Sequence, residues 1–289
     1  MAGTYGGRPG VTIGWMISDS RFSLDDFYDA YPRIEAEFQV ALNASLNPRG
    51  PALLYALVAD LRLPRGARIV DVGCGEGDHS LALAERFGFS VHGIDPVRRH
   101  LELASEAAAR RPELSGRLQF AYGTADALPV DDATADLVWC RDVLVHVDDL
   151  DRAYAEFRRV LRDNGHVLVY QMFGTSRLEP QEAEWLWATM GVVPASGSPE
   201  RTEAAIARAG LRVDQRLELG GEWAEWAEEQ TGKPSRNLLH AARLLRSPER
   251  YIAQFGQAAY EIKLGDCLWH VYVMLGKLSP RIYVLSRAP

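Results

Sequence analysis

The chain contains few cysteines and no long apolar run. Its three cysteines are isolated and odd in number, which argues against a disulfide framework and against a cysteine-based zinc site. No apolar stretch approaches the ~20 residues that a membrane-spanning helix needs. Residues 1–14 are rich in glycine and lack the apolar core of a secretory signal. We therefore expect a cytoplasmic protein with no membrane partner.

An excess of basic charge is also missing. Lys and Arg number 32 against 39 Asp and Glu, which gives a formal net charge of −7. Nucleic-acid binding depends on clustered Lys and Arg, so we expect no nucleic-acid partner. The histidines show no metalloprotease spacing, and no metal centre is indicated. With 47% hydrophobic residues, the 289-residue chain can form one large domain, or a core with a small cap.

The most informative segment runs from Ile69 to Gly77. A short apolar strand containing Asp71 leads into a loop in which Gly73 and Gly75 alternate with other residues. Glycine permits sharp turns and a close approach of a ligand, because it has no Cβ. The helix that follows presents unpaired N–H groups at its start. Open α/β sheets bind nucleotide-like ligands at such a place, outside the carboxyl ends of their strands.

The charges around this loop argue against a dinucleotide. A pyrophosphate-binding loop has the pattern G-x-G-x-x-G, but here the third glycine, Gly77, comes one residue early and Asp78 takes its place. Glu76 and Asp71 add further negative charge. These acids disfavour a phosphate and suit a ligand with positive charge, such as S-adenosylmethionine with its sulfonium and its ammonium group.

Two later strands also deliver acidic residues. Asp95 ends a predicted strand that begins at Val91, and it lies 22 residues after Gly73. At about that spacing an acid accepts hydrogen bonds from ribose hydroxyls. Asp126 follows the third predicted strand, Leu118–Tyr122, where it could accept a hydrogen bond from an adenine amino group. With Asp71, three strands then each bring a carboxylate to the same edge of the sheet.

These segments resemble those of the class I S-adenosylmethionine-dependent methyltransferases, in particular the small-molecule branch typified by ubiquinone and menaquinone biosynthesis. The resemblance covers residues 50–173 and is carried by Val70–Gly77, Gly93–Asp95, Thr124–Pro129, Asp136–Val147 and Arg159–Val169. It implies S-adenosylmethionine as the cofactor. The cofactor-binding residues that it implies are Asp71, Gly73, Cys74, Gly75, Asp95, Pro96, Ala125, Asp126, Ala127, Arg141 and His146.

Strand and helix patterns alternate from Ala67 to Phe173, which predicts a parallel sheet with helices on both faces. The resemblance adds a doubly wound, mostly parallel, seven-stranded Rossmann-like α/β sheet that ends in an antiparallel pair. Outside the alternating region the sequence predicts one or two helices within 23–46, helices at 180–190 and 199–209, a strand at 211–219, helical sequence over 222–278 and a final strand at Ile282–Leu285.

These patterns divide the chain into four parts. Residues 1–50 are predicted to form a flexible N-terminus and a helical cap, and residues 51–219 the cofactor-binding core. Residues 220–279 are predicted to be a helical insertion that serves as a substrate lid, and residues 280–289 to supply the final strand of the core.

His146 is the first candidate for a catalytic base. It follows the fourth predicted strand, on the edge that faces the cofactor, and imidazole titrates near neutrality. A purely structural role for this histidine stays open. The remaining candidates for the acceptor pocket are Tyr28, Tyr31, His79, Gln171, Met172, Trp223 and His270.

The predicted reaction is methyl transfer to a small molecule, with an oxygen of a natural-product or quinone-like acceptor favoured by the histidines. Methylation of carbon or nitrogen stays open, as does a cyclase or isomerase that keeps the methyl group on the cofactor. An NAD-dependent oxidoreductase is disfavoured by the acids around the glycine loop. A degenerate binding protein is disfavoured by the intact acids at 71, 95 and 126. The sequence leaves the oligomeric state open and allows a homodimer.

Overall fold

A computed structural model describes residues 22–288, so the expectation for residues 1–14 lies outside the described part. The chain divides into two units, Met1–Leu46 and Asn47–Pro289. The described part of the first unit contains helix α1 (Leu24–Arg33), a π-helical turn (Ile34–Phe38) and helix α2 (Gln39–Leu42). Ser23 caps α1, because its hydroxyl accepts the Asp26 N–H at 3.0 Å and Asp26 accepts the Ser23 N–H in return. The prediction of N-terminal helices is thereby confirmed.

The second unit alternates helices and strands. Its strands are β1 (Arg68–Val72), β2 (Ser90–Asp95), β3 (Leu118–Tyr122), β4 (Ala135–Arg141), β5 (Leu161–Gly174), β6 (Leu211–Glu218) and β7 (Leu278–Arg287). Its longer helices are α3 (Ala52–Asp60), α4 (Asp78–Phe87), α5 (Arg98–Ala109), α6 (Leu150–Val160), α7 (Pro180–Met190), α8 (Pro199–Arg208), α9 (Glu222–Thr231), α10 (Lys233–Arg246), α11 (Pro248–Phe255) and α12 (Gln257–Met274). Single 3₁₀ turns lie at Pro112–Leu114, Leu144–His146 and Pro194–Gly197.

Within residues 22–288 the strands form one seven-stranded sheet in the order β3-β2-β1-β4-β5-β7-β6. Strands β1 to β5 are parallel, and β7 runs antiparallel to both β5 and β6. This is the predicted doubly wound sheet with an antiparallel pair at one edge, so the fold prediction is confirmed. The strand order reverses between β1 and β4, which creates the crevice where such sheets bind ligands.

Alternation along the central strands divides the core between the two faces of the sheet. Val138 and Cys140 of β4 pack into a cluster that includes Tyr154 of α6. Leu137 and Trp139 of the same strand point to the opposite face, into a cluster that includes Leu54 of α3. The period of two follows from the pleat of the strand. Helices therefore cover both faces, and the polar strand ends are left for the cleft.

Helices α9 to α12 lie between β6 and β7, where the sequence predicted helical character. Breaks at Gly232, Ser247 and Gly256 divide the segment into four helices. The glycine breaks have φ values of 63° and 85°, in the left-handed region that glycine adopts without a steric penalty. Strand β7 begins at Leu278, four residues earlier than the predicted final strand.

Candidate active site

A cavity of about 650 Å³ opens at the carboxyl ends of β1, β2 and β4, beside the reversal in strand order. Its size lies within the range of ligand-binding clefts. The loops after β3 and β4 complete its wall. The cavity is lined by Val72, Gly73, Gly75, Ile94, Asp95, Pro96, Val97, His100, Gly123, Thr124, Ala125, Asp126, Arg141, Asp142, Val143, His146, Val147, Asp148 and Asp149.

The glycine loop is tied to the neighbouring strand at its first turn. The backbone N–H groups of Gly73 and Cys74 both donate to the Ile94 carbonyl, at 2.7 and 3.0 Å. Gly73 has a φ of 70°, and a Cβ at this position would overlap the Val143 side chain. Both the backbone angle and the lack of space therefore require glycine there. The result is an open backbone surface at the end of β1.

Asp95 is held firmly in the cavity wall. One carboxylate oxygen accepts the Gly75 N–H at 2.9 Å, and the other accepts the Val97 N–H at 2.8 Å. His100 Nδ1 lies 3.1 Å from the second oxygen. This carboxylate joins the glycine loop to the start of α5 and presents a fixed acceptor to the cleft. Asp126, which the sequence placed at the same site, also lines the cavity.

Asp71 does not line the cavity. Its side chain is buried and accepts the Ser80 hydroxyl of α4 at 2.6 Å. Burial raises the pKa of Asp71 to about 7, against the lowering effect of that hydrogen bond. Two other residues of the predicted set, Cys74 and Ala127, are also absent from the lining. Cys74 is buried, and burial raises the pKa of its thiol.

His146 lies in the cleft, at the 3₁₀ turn after β4, and is exposed. Its Nδ1 is 2.8 Å from the Gly191 carbonyl. A carbonyl only accepts, so Nδ1 carries the proton, and the neutral ring keeps its lone pair on Nε2. The hydrogen bond fixes the tautomer that has a basic nitrogen still available.

None of the seven predicted pocket residues belongs to the cavity lining. His79 is held through both ring nitrogens, with Nδ1 2.7 Å from the Tyr55 hydroxyl and Nε2 2.7 Å from Arg141 Nη1. Gln171 is buried, and its amide donates to the Ser196 carbonyl at 2.6 Å. Met172 is buried in an apolar cluster with Trp187.

The remaining predicted pocket residues are dispersed. Trp223 of α9 packs on Tyr170 of β5, with 4.7 Å between ring centroids. His270 of α12 makes a hydrogen bond of 2.8 Å between Nδ1 and the Asp266 carbonyl of its own helix. Tyr28 and Tyr31 belong to the first unit and are exposed. None of these four residues lines the cavity.

Sequence reasoning missed three acids at the end of β4. Asp142, Asp148 and Asp149 line the cavity, and Asp142 adopts the left-handed region with a φ of 57°. The signal was available, because Asp142 directly follows a buried strand as Pro96 follows β2. Together with Asp95 and Asp126 these acids outnumber the cationic side chains of the lining. Such a cleft fits a ligand that carries positive charge. Its carboxylate acceptors are compatible with the sulfonium, ammonium and hydroxyl groups of S-adenosylmethionine.

Two global features bear on the site. Among residues 22–288, no group of three or more His, Cys, Asp or Glu side chains is arranged to hold a metal ion. In the same described part, no helix has the length and apolar character needed to cross a membrane.

Comparisons with known proteins agree with this geometry. Residues 70–169 match the family model described as a methyltransferase domain. The chain is 32% identical to methyltransferase GfsG of Streptomyces halstedii over 172 residues, which is 56% of this chain and 62% of that protein. It is 27% identical to the 27-O-demethylrifamycin SV methyltransferase of Amycolatopsis mediterranei, over 68% of this chain and 75% of that protein.

A solved structure shares the fold. The geranyl diphosphate C-methyltransferase of Streptomyces coelicolor superposes with a TM-score of 0.60 and 17% identity, covering 82% of this chain and 79% of that one. At this identity the likeness concerns the architecture of the sheet and its helices. The segment that matches the family model, residues 70–169, includes every cavity-lining residue.

Proposed function

We propose that this chain, whose residues 70–169 form a methyltransferase domain, transfers a methyl group from S-adenosylmethionine to an oxygen atom of a small molecule. The observation that carries the proposal is the coincidence of that domain with an acid-lined cleft at the reversal in strand order. The chain spans 62% of the first relative, so the activity of the whole protein is proposed rather than transferred from it.

Different residues of the cleft are proposed to bind different parts of the methyl donor. When bound, S-adenosylmethionine supplies an activated methyl group on a positively charged sulfur. Gly73 and Gly75 expose backbone to it, and Asp95 offers an acceptor for ribose hydroxyls. Asp126, which lines the cavity, is proposed to accept a hydrogen bond from the adenine amino group. The surrounding carboxylates favour the positive charge, and orientation of the two reactants accounts for ~7–11 kcal/mol in favourable cases.

His146 is the proposed general base. The hydrogen bond from Nδ1 to Gly191 leaves Nε2 free to accept the proton of an attacking hydroxyl. A positioned base typically adds about 10²- to 10⁴-fold in rate. This role also explains why oxygen is the favoured acceptor atom, since a hydroxyl must lose its proton. The O-methyltransferase named above supports the same choice of atom.

The surrounding parts of the chain are proposed to serve the acceptor. Helices α9 to α12 would form its lid, and Trp223 an aromatic wall of its pocket. The candidates Tyr28, Tyr31 and His270 stay predictions for acceptor contacts, whereas Gln171 and Met172 are buried in the core and are not proposed again. A cytoplasmic location and a homodimer are also proposed, and cell fractionation and light scattering test them.

Isothermal titration with S-adenosylhomocysteine is the first experiment. Micromolar or tighter binding is expected, and no binding at millimolar ligand would overturn the proposed function. Incubation with S-adenosylmethionine and candidate hydroxylated acceptors should then give a product heavier by one methyl group. Stoichiometric release of S-adenosylhomocysteine separates transfer from a cyclase or isomerase, and fragmentation of the product separates O- from C- or N-methylation.

A further inference from the structure

Arg141 is an unusual residue for an acid-lined cleft, because its one ion pair among residues 22–288, with Asp142, is long. It ends β4, lines the cavity and has a side chain that is 29% exposed. Its nearest carboxylate oxygen, on Asp142, lies 4.0 Å from Nη2. Its Nε is buried and has no hydrogen-bond partner. A half-buried guanidinium is usually paired with a carboxylate, so this one has binding capacity left over.

A neutral ring holds the guanidinium instead. Nη1 of Arg141 is 2.7 Å from His79 Nε2. Arginine can only donate, so Nε2 must carry the lone pair and Nδ1 the proton. The Nδ1–H then donates to the Tyr55 hydroxyl at 2.7 Å. Burial, and secondarily the charge of Arg141, lower the pKa of His79 to about 4, which keeps the ring neutral at physiological pH.

Aromatic packing fixes both members of this pair. The His79 ring lies on Trp139, with 5.4 Å between centroids, and Tyr55 stacks on the same indole at 5.6 Å. The guanidinium carbon of Arg141 is 5.5 Å from the Tyr170 ring centroid. Trp139 and Arg141 alternate with Cys140 on β4, so they share one face of the sheet. The guanidinium is thus positioned mainly by neutral groups, and the Asp142 carboxylate lies at the edge of ion-pair distance.

We propose that Arg141 binds an anionic oxygen within the cleft and that His79 is the positioning residue that holds it there. This inference rests on the proposed function. The oxygen belongs either to the α-carboxylate of the methyl donor or to an acidic group of the acceptor. In both cases the recognised chemistry is a carboxylate-like oxygen that accepts a charge-assisted hydrogen bond from Nη2.

The test compares ligands that differ in one charged group. S-adenosylhomocysteine carries an α-carboxylate, and 5′-methylthioadenosine lacks the amino acid portion. Benzoate and neutral benzamide, added to the S-adenosylhomocysteine complex, probe the acceptor side. Calorimetry is run on the full chain and on Arg141→Gln, His79→Leu, His79→Gln and the control Arg86→Gln. Arg86 lies 4.2 Å from the Tyr55 ring centroid and outside the cleft lining, so its loss removes a nearby positive charge but no group that the proposal places in the site.

If the partner is the α-carboxylate of the methyl donor, Arg141→Gln should weaken the affinity for S-adenosylhomocysteine about tenfold or more. The affinity for 5′-methylthioadenosine should stay unchanged. If the partner is an oxygen of the acceptor, Arg141→Gln should abolish benzoate binding, and its affinity for both nucleosides should stay unchanged. His79→Leu should reproduce the loss, and His79→Gln, whose amide oxygen can accept from Arg141, should restore binding. Arg86→Gln should bind all ligands normally.

Two results would overturn the inference. If Arg141→Gln binds all of these ligands as the unmodified chain does, there is no anion site at Arg141. If His79→Leu leaves binding unchanged while Arg141→Gln impairs it, His79 does not position Arg141. Failure of the unmodified chain to bind either nucleoside is a different outcome, because it overturns the proposed function and this inference with it.

Discussion

Gly73 shows how one residue determines the shape of the cleft. Its φ of 70° and the adjacent Val143 side chain both exclude a Cβ. Gly73→Ala should therefore suffer a left-handed penalty of ~1–2 kcal/mol and overpacking of ~1–3 kcal/mol. Urea unfolding and titration with S-adenosylhomocysteine measure the two consequences, lower stability and weaker binding.

Gly75→Ala is the matched control for that substitution. Gly75 has a φ of 54°, but nothing lies within 4 Å of a Cβ built there. It should show only the backbone penalty. Equal destabilisation by both variants would contradict the role assigned to the Val143 contact.

His146→Ala tests the proposed base. Turnover should fall about tenfold or more, because the free Nε2 is lost. The affinity for S-adenosylhomocysteine should stay close to that of the unmodified chain, because Asp95 and the glycine loop are untouched. Single-turnover kinetics with an identified acceptor give the rate. Unchanged turnover would show that His146 is not the base and that its role is the structural hydrogen bond to Gly191.

Asp71 makes a prediction about pH. Its folded pKa of about 7 lies above the ordinary value of 3.8, so the folded state binds more protons between these limits. Stability contributed by the protonated form is consequently lost as pH rises from about 4 to 7. Asp71→Asn cannot ionise and still offers an oxygen to Ser80. Relative to the unmodified chain, its melting temperature should rise with pH across this window and level off above it.

Asp60→Asn provides the control for this pH series. Asp60 is exposed at the end of α3, so Asp60→Asn removes a carboxylate at the surface and should change the melting temperature little. A constant difference between the Asp71→Asn and unmodified curves from pH 4 to 7 would show that Asp71 ionises as freely in the folded state as in the unfolded one.

The sequence placed residues at the cleft where the backbone alone determines position. Asp95 ends β2 and Asp126 follows β3, and both line the cavity, because the carboxyl ends of these strands meet. Asp71 does not, because the pleat turns it to the face of Ile69, where Ser80 of α4 receives it. The tether between His79 and Arg141 joins residues 62 positions apart. A contact between residues so far apart in the chain cannot be predicted from a local sequence pattern.

At the scale of elements, α9 is attached to the core through residues that precede α3. Arg49 Nε donates to Glu222 at 2.8 Å, and a Cβ on Gly50 would overlap the indole of Trp226. Gly50→Ala should therefore displace Trp226 and lower the free energy of unfolding by ~1–3 kcal/mol. Chemical denaturation followed by tryptophan fluorescence measures both effects.

Gly221→Ala, at the start of the same helix, is the control for Gly50→Ala. Its Cβ would lie at ordinary contact distance, 3.5 Å from the Met274 carbonyl, and its φ is −84°. It should change stability little. The two variants would not differ in fluorescence spectrum or in free energy of unfolding if α9 could shift freely. Equal values for Gly50→Ala and Gly221→Ala would therefore contradict this prediction.

Element boundaries could be predicted where a local stop signal exists. Helix α7 runs from Pro180 to Met190, as predicted, because proline starts it and Gly191 ends it. Strand β7 was predicted too short. Its first residues, Leu278 to Arg281, contain a proline and alternate weakly, and they are strand because β5 and β6 pair with them. Tertiary pairing of that kind is not visible in local sequence.

At the scale of the whole molecule, stability and ligand binding are expected to reside in the second unit. The fully buried side chains among residues 22–288 begin at Leu54, and every cavity-lining residue lies between Val72 and Asp149. Residues 22–46 instead expose apolar side chains such as Phe27 and Phe38. Burial of apolar area is the main source of folding free energy.

A variant that begins at Asn47 should therefore unfold in one cooperative transition. Its melting temperature should lie within about 4 °C of the full chain, which corresponds to roughly 1 kcal/mol for a domain of this size. Its affinity for S-adenosylhomocysteine should be retained, because it keeps the whole cleft. Calorimetry measures both quantities. A broad transition or a loss of affinity would contradict the assignment of stability and donor binding to the second unit.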